Sequence, residues 1–126
     1  MNLEKGIEII SDNYYGKENS LVSSLYNDCD FSEEKFWQLY DSIVCLINSN
    51  FYAEDMLFRI GIVYQRILKE MIYHFSPYDV SVIKNFPENY NGYIERLDFA
   101  YNAYYARNPE LLADDTFELQ RENRIK

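Results

Sequence analysis

His74 is the only imidazole in the chain, and the two cysteines, Cys29 and Cys45, stand far apart. Acid–base, nucleophilic or metal chemistry would have to be built from these few parts. Nucleophilic catalysis needs an activated Ser or Cys beside a positioned base. On a helical wheel His74 shares a core arc with Met71 and Phe75 and has no companion group, so it reads as a buried or helix-end histidine. A transition-metal site needs several His or Cys ligands at suitable spacing, and none is visible. Some helical nucleases place an Arg just before a His. Here Arg66 and His74 are eight residues apart, about 80° round a helix, which reads as different faces.

Carboxylates are the abundant chemistry. There are 21 Asp and Glu against 12 Lys and Arg, for a net charge of −9. They pair along the chain as Asp28/Asp30, Glu33/Glu34, Glu54/Asp55 and Asp114/Asp115. General acid–base work needs two carboxylates facing across a cleft, whereas adjacent pairs at helix starts are ordinary dipole-favourable residues. No calcium-loop pattern appears, and the four glycines are too scattered for a phosphate loop. The residues argue against an enzyme and offer no cofactor or metal site. A charge of −9 repels nucleic acid and anionic membranes and favours a basic protein partner, with solubility alone as the plainer use. No apolar run approaches the ~18 residues of a membrane span. The acidic N-terminus does not read as a secretory signal, and isolated thiols suit a reducing cytoplasm.

These groups must be positioned by helices, because no segment alternates with a two-residue period. The reading is all-α, a single-domain bundle of about five or six helices over residues 1–126. Residues 3–10 form a short helix or strand, 11–19 hold turn formers, and 20–27 allow two helical turns. Ser32 caps a helix over 33–49 whose apolar face runs through Phe36, Leu39, Tyr40, Ile43, Val44 and Ile47. A second helix over 53–75 carries Met56, Ile60, Val63, Ile67, Met71 and Phe75 on its main face. Its second stripe, Phe58, Ile62 and Tyr73, places it centrally in the bundle, a partner surface being the other use. Ser76-Pro77 predicts a short helix over 77–85, and a last strong helix follows over 88–107. The remaining tail predicts a helix that frays.

Tyrosine and acid together make an adhesive surface, since a rigid amphipathic ring buries area and still donates a hydrogen bond. With 13 tyrosines in the chain, two clusters stand out. The first is Glu95, Asp98, Phe99, Asn102 and Tyr105, in which Phe99 points away from its helix's core arc. The second surrounds Tyr78, Asp79, Glu88 and Tyr90.

The stretches SEEKFWQLYDSIV, AEDMLFRI, HFSPYDVSVI and NGYIERLDFAYNAYY, spanning 32–107, together resemble the colicin-type nuclease immunity proteins, small acidic four-helix bundles. That family's adjacent tyrosine pair falls here on Val82 and Ile83, so the resemblance carries over only Glu54, Asp55 and Asp79 as toxin-facing acids. More broadly the chain is similar in type to immunity proteins of contact-dependent, polymorphic toxin systems. The resemblance implies a cytoplasmic protein that blocks a basic toxin domain, expected to be a nuclease, by stoichiometric occlusion. Two other uses stay open: a helical module that homodimerises through the Phe58/Ile62/Tyr73 stripe, and a nucleic-acid mimic.

Overall fold

The computed structural model describes residues 1–78 and 82–121. Five α-helices account for most of them, and no strand occurs among the described residues. The helices are α1 (Leu3–Tyr15), α2 (Leu21–Asp28), α3 (Glu33–Asn48), α4 (Glu54–Tyr73) and α5 (Tyr90–Ala106). Two 3-10 turns follow, Pro109–Leu112 and Asp114–Thr116. α1 packs on α3 and α4, and α5 packs on the same two helices, so α3 and α4 lie on one diagonal of a bundle with α1 and α5 on the other. α2 closes against α1, α3 and α4.

α1 runs through residues 11–15, where turn formers suggested a loop. The polar residues serve the helix. Asn13 is buried, donates to the Ile9 carbonyl at 3.0 Å and accepts from the Val22 amide at 3.1 Å, which ties α1 to α2. Gly16 ends α1 in the left-handed region at φ 67°, where a side chain would be strained. Ser32 caps α3 as read from the sequence, and Ser20 caps α2, their hydroxyls accepting from the Lys35 and Ser23 amides. α4 and α5 run antiparallel. The Tyr104 hydroxyl accepts from the Ala53 amide at 3.0 Å and donates to the Phe51 carbonyl at 2.9 Å, while the Tyr64 hydroxyl donates to Asp98. Gly61 lets the Tyr101 ring approach, since an added Cβ would lie 3.1 Å from Tyr101 Cε1.

Three expectations need correction. The short helix over 77–85 is not formed by its described residues, 77–78 and 82–85. Amides there do not bond four residues back: Ile83 donates to the His74 ring at the end of α4, and Lys84 to the distant Cys29 carbonyl. The second stripe of α4 is not central either, because Phe58 is 59% exposed and Tyr73 also faces outward. Finally, the tail forms 3-10 turns followed by an extended strap rather than a helix, and the strap buries Phe117 and Leu119.

Arg96 holds that strap. It is 2% exposed, with Nε and Nη2 donating to the Leu119 carbonyl at 3.1 and 2.7 Å. Nη1 donates to the Tyr40 hydroxyl and to Asp114, both at 3.1 Å. Its guanidinium lies over the rings of Phe117, Tyr40 and Trp37 at 4.2 to 5.3 Å. Arg121 adds a bidentate pair to Asp41 and covers the other part of Trp37 at 4.4 Å.

Burial pushes the phenols of Tyr40 and Tyr104 above their usual range, and burial together with the Asp98 charge and hydrogen bond raises Tyr64 to about 12. Unfolded, each would ionise near 10. The unfolded state therefore loses these protons first, so stability is intact below about pH 10 and falls as pH rises through the folded values. Absorbance at 295 nm should show late-titrating tyrosines, and the urea midpoint should drop above about pH 10. A midpoint that stays flat through the tyrosine titration would contradict this reading.

Candidate partner-binding surface

At the end of the bundle where α4 hands over to α5, the chain leaves the helix and turns aromatic side chains outward. α4 stops at Tyr73, before Ser76-Pro77, and His74 caps it. The sequence pattern put Phe75 on the core face, but two residues past the helix end it leaves the helical register. It is 57% exposed and packs edge-on to Phe86 at 5.1 Å and against Tyr90 at 5.3 Å. Tyr78, at 94% exposure, is the most solvent-accessible aromatic of the described residues. His74 stacks flat on Phe86 with ring centroids 4.0 Å apart, and its Nδ1 accepts from the Ile83 amide at 3.0 Å. That accepted bond commits the imidazole to holding the loop.

The α2–α3 junction supplies an acidic rim. Asn85 clasps Phe31 on both backbone groups, accepting from its amide and donating to its carbonyl, each at 2.7 Å. The Lys84 amide donates to the Cys29 carbonyl at 2.8 Å. Asp28 and Asp30, on either side of Cys29, are thereby set beside the aromatic loop. Glu33 is held by the Tyr93 hydroxyl, on the α5 turn that follows Tyr90, which donates to Oε2 at 3.0 Å. Glu88 lies exposed within the connection itself. Adjacent carboxylates that look like ordinary helix-start residues in the sequence thus join an aromatic patch from a segment 54 residues away. The arrangement can anchor rings in a partner's pockets and meet Arg or Lys around them.

The residues singled out from the sequence fall into separate places. Tyr90 lies on this patch, Tyr78 is exposed three residues after Phe75 and Glu88 is exposed two residues before Tyr90, while Asp79 lies outside the described residues. Asp98, Asn102 and Tyr105 share the outer face of α5, with Tyr105 68% exposed. Asp98 is already engaged by Tyr64, and Asn102 donates to the Asp98 carbonyl. Glu54 and Asp55, exposed at the start of α4, sit at the same end as Tyr105, because Ala53 bonds Tyr104. The 20 residues of α4 separate that end from the aromatic patch by about 30 Å. Glu95 is exposed beside Thr116 and Glu118 of the strap. Phe99 is no free anchor: it packs edge-on to Phe117 at 5.2 Å, so the strap explains its off-pattern position. Phe75, Asp28, Asp30 and Glu33 were not singled out, and only the Ser76-Pro77 break hinted at Phe75.

Among the described residues no three His, Cys, Asp or Glu side chains gather as a metal site, and no helix is long and apolar enough to cross a membrane. Compared with known protein families, curated proteins and solved structures, the chain matches none.

Proposed function

We propose that this chain is a non-catalytic binding protein that neutralises a basic protein by occluding it, in the manner of immunity proteins of bacterial toxin systems. The observation that carries the reading is the exposed aromatic pair Phe75 and Tyr90, with Tyr78 exposed three residues beyond Phe75, in a connection that Lys84 and Asn85 tie to the acidic segment holding Asp28, Asp30 and Glu33 and that itself carries Glu88. Phe75 and Tyr90 touch each other yet stay exposed, Tyr78 is more exposed still three residues after Phe75, and exposed aromatic area of this kind marks an interaction surface. The carboxylates steer a cationic partner, and the rings supply the desolvated anchor. A toxin domain with a positive, substrate-binding groove, a nuclease above all, has the complementary surface. The cytoplasm, where both thiols stay reduced, is the setting this role requires.

Reversing charge with Glu33→Lys and Glu88→Lys should slow association with the basic partner by about tenfold at low salt and flatten the salt dependence. An association rate unmoved by both changes would remove the rim from the site. The exposure of Phe58 favours one other reading, self-association through the α4 stripe. Arg59, Arg66 and Lys69 flank that stripe, so a two-fold dimer would face cation against cation. Sedimentation of the isolated chain separates the two, and a monomer is expected.

A further inference from the structure

The groove between α2 and α4 shares Tyr73 with the outward stripe of α4 but has no part in the acidic aromatic surface. Tyr26 and Asn27 on the α2 wall face Arg66, Lys69, Glu70 and Tyr73 on the α4 wall, around about 370 Å³. That volume lies in the range of small-ligand pockets. Its charge is opposite to that of the molecule. The lining carries two cations and one carboxylate, 2 − 1 = +1, on a chain of −9. Neither Arg66 nor Lys69 has a carboxylate within ion-pair distance among the described residues.

Arg66 is held from outside the groove, not across it. Its Nη1 donates to the Tyr14 carbonyl at 2.5 Å, and its guanidinium lies 5.6 Å from the Tyr14 ring. The other N–H groups make no hydrogen bond among the described residues. Lys69 is one helical turn further on, so the two cations share a face. Tyr73 lies one turn beyond Lys69, and the Tyr26 and Tyr73 rings are both exposed in the lining. From Arg66 to Tyr73 the helix rises about 10 Å. A compact anion and two π-faces, within that length, define the ligand.

We propose that this groove binds a nucleoside monophosphate, its phosphate on Arg66 and Lys69, its base against Tyr26 and Tyr73, and the Asn27 amide at the base edge. A phosphate monoester offers several acceptor oxygens to two converging cations, and any base has a face to stack on tyrosine. The negative charge elsewhere is screened over a Debye length of about 8 Å, whereas the phosphate contacts its cations directly. The groove adjoins the acidic patch at Asn27 and Tyr73 but shares no residue with it, and its occupancy does not depend on that patch's role.

The test is an amide NMR titration of the full chain with adenosine monophosphate and guanosine monophosphate, with inorganic phosphate, adenosine and a phosphotyrosine peptide as separate arms. The monophosphates should give saturable shifts at Ser23, Asn27, Lys69 and Tyr73. Inorganic phosphate and adenosine should each bind about tenfold or more weakly. Lys69→Gln, which removes a side chain that bonds to nothing in the described fold, should weaken binding about tenfold, and Tyr73→Leu likewise. Absence of saturable shifts at these residues, binding unchanged by Lys69→Gln, or preference for the phosphotyrosine peptide would each overturn the assignment.

Discussion

Arg96→Met is expected to destabilise the protein by about 3 kcal/mol, while Asp114→Asn costs less than about 1 kcal/mol. Methionine keeps most of the volume but leaves the Leu119 carbonyl and Tyr40 hydroxyl buried without their donor. Each stranded group costs about 1–3 kcal/mol. The carboxylate partner behaves differently: Asp114 is 81% exposed, so water replaces the guanidinium at little cost. Thermal unfolding should fall by about 10 °C for Arg96→Met. Hydrogen exchange should accelerate first at Phe117 and Leu119, and detachment of the strap would uncover Phe99. A loss confined to a few tenths of a kcal/mol would show that the strap is held by Phe117 and Leu119 alone.

The second large effect is on binding. Phe75→Ser combined with Tyr78→Ser should weaken association with the basic partner by about a thousandfold, if each ring contributes the ~2 kcal/mol typical of a buried interface anchor. The fold should barely notice, since both side chains are mostly exposed and surface changes away from core features stay within about 0.5 kcal/mol. The control lies at the other end of the bundle. Tyr105→Ser with Glu54→Lys should leave affinity within a few-fold, because those residues lie about 30 Å from the patch. If the control pair abolishes binding and the patch pair does not, the toxin-facing acids suggested by resemblance are the site instead.

Helices with a clean apolar face were legible from residue pattern alone. Phe36, Leu39, Tyr40, Ile43 and Ile47 are buried on α3, and Ser32 caps it, because both effects depend on neighbours within one or two turns. Residues whose fate depends on distant segments were misread. Arg96 lies on the core arc between Tyr93, Leu97 and Ala100, but its burial depends on Leu119 and Asp114 arriving from a strap with no helical period. Phe99 looked unpartnered for the same reason. The 77–85 segment has a good helix-start signal at Ser76-Pro77, yet the Ile83 and Lys84 amides find partners in His74 and Cys29. The acidic patch depends on one side chain, Asn85, reaching Phe31 across 54 positions, which no local pattern encodes.

The most direct test of the proposed role is growth of cells co-expressing this chain with whatever protein the adjacent reading frame encodes. Wild type and the Tyr105→Ser/Glu54→Lys control are expected to relieve the growth inhibition. The Phe75→Ser/Tyr78→Ser variant, folded and equally abundant, is expected not to. A harmless neighbour, or full protection by the variant lacking both rings, would contradict the assignment of this aromatic, acid-rimmed surface to toxin neutralisation.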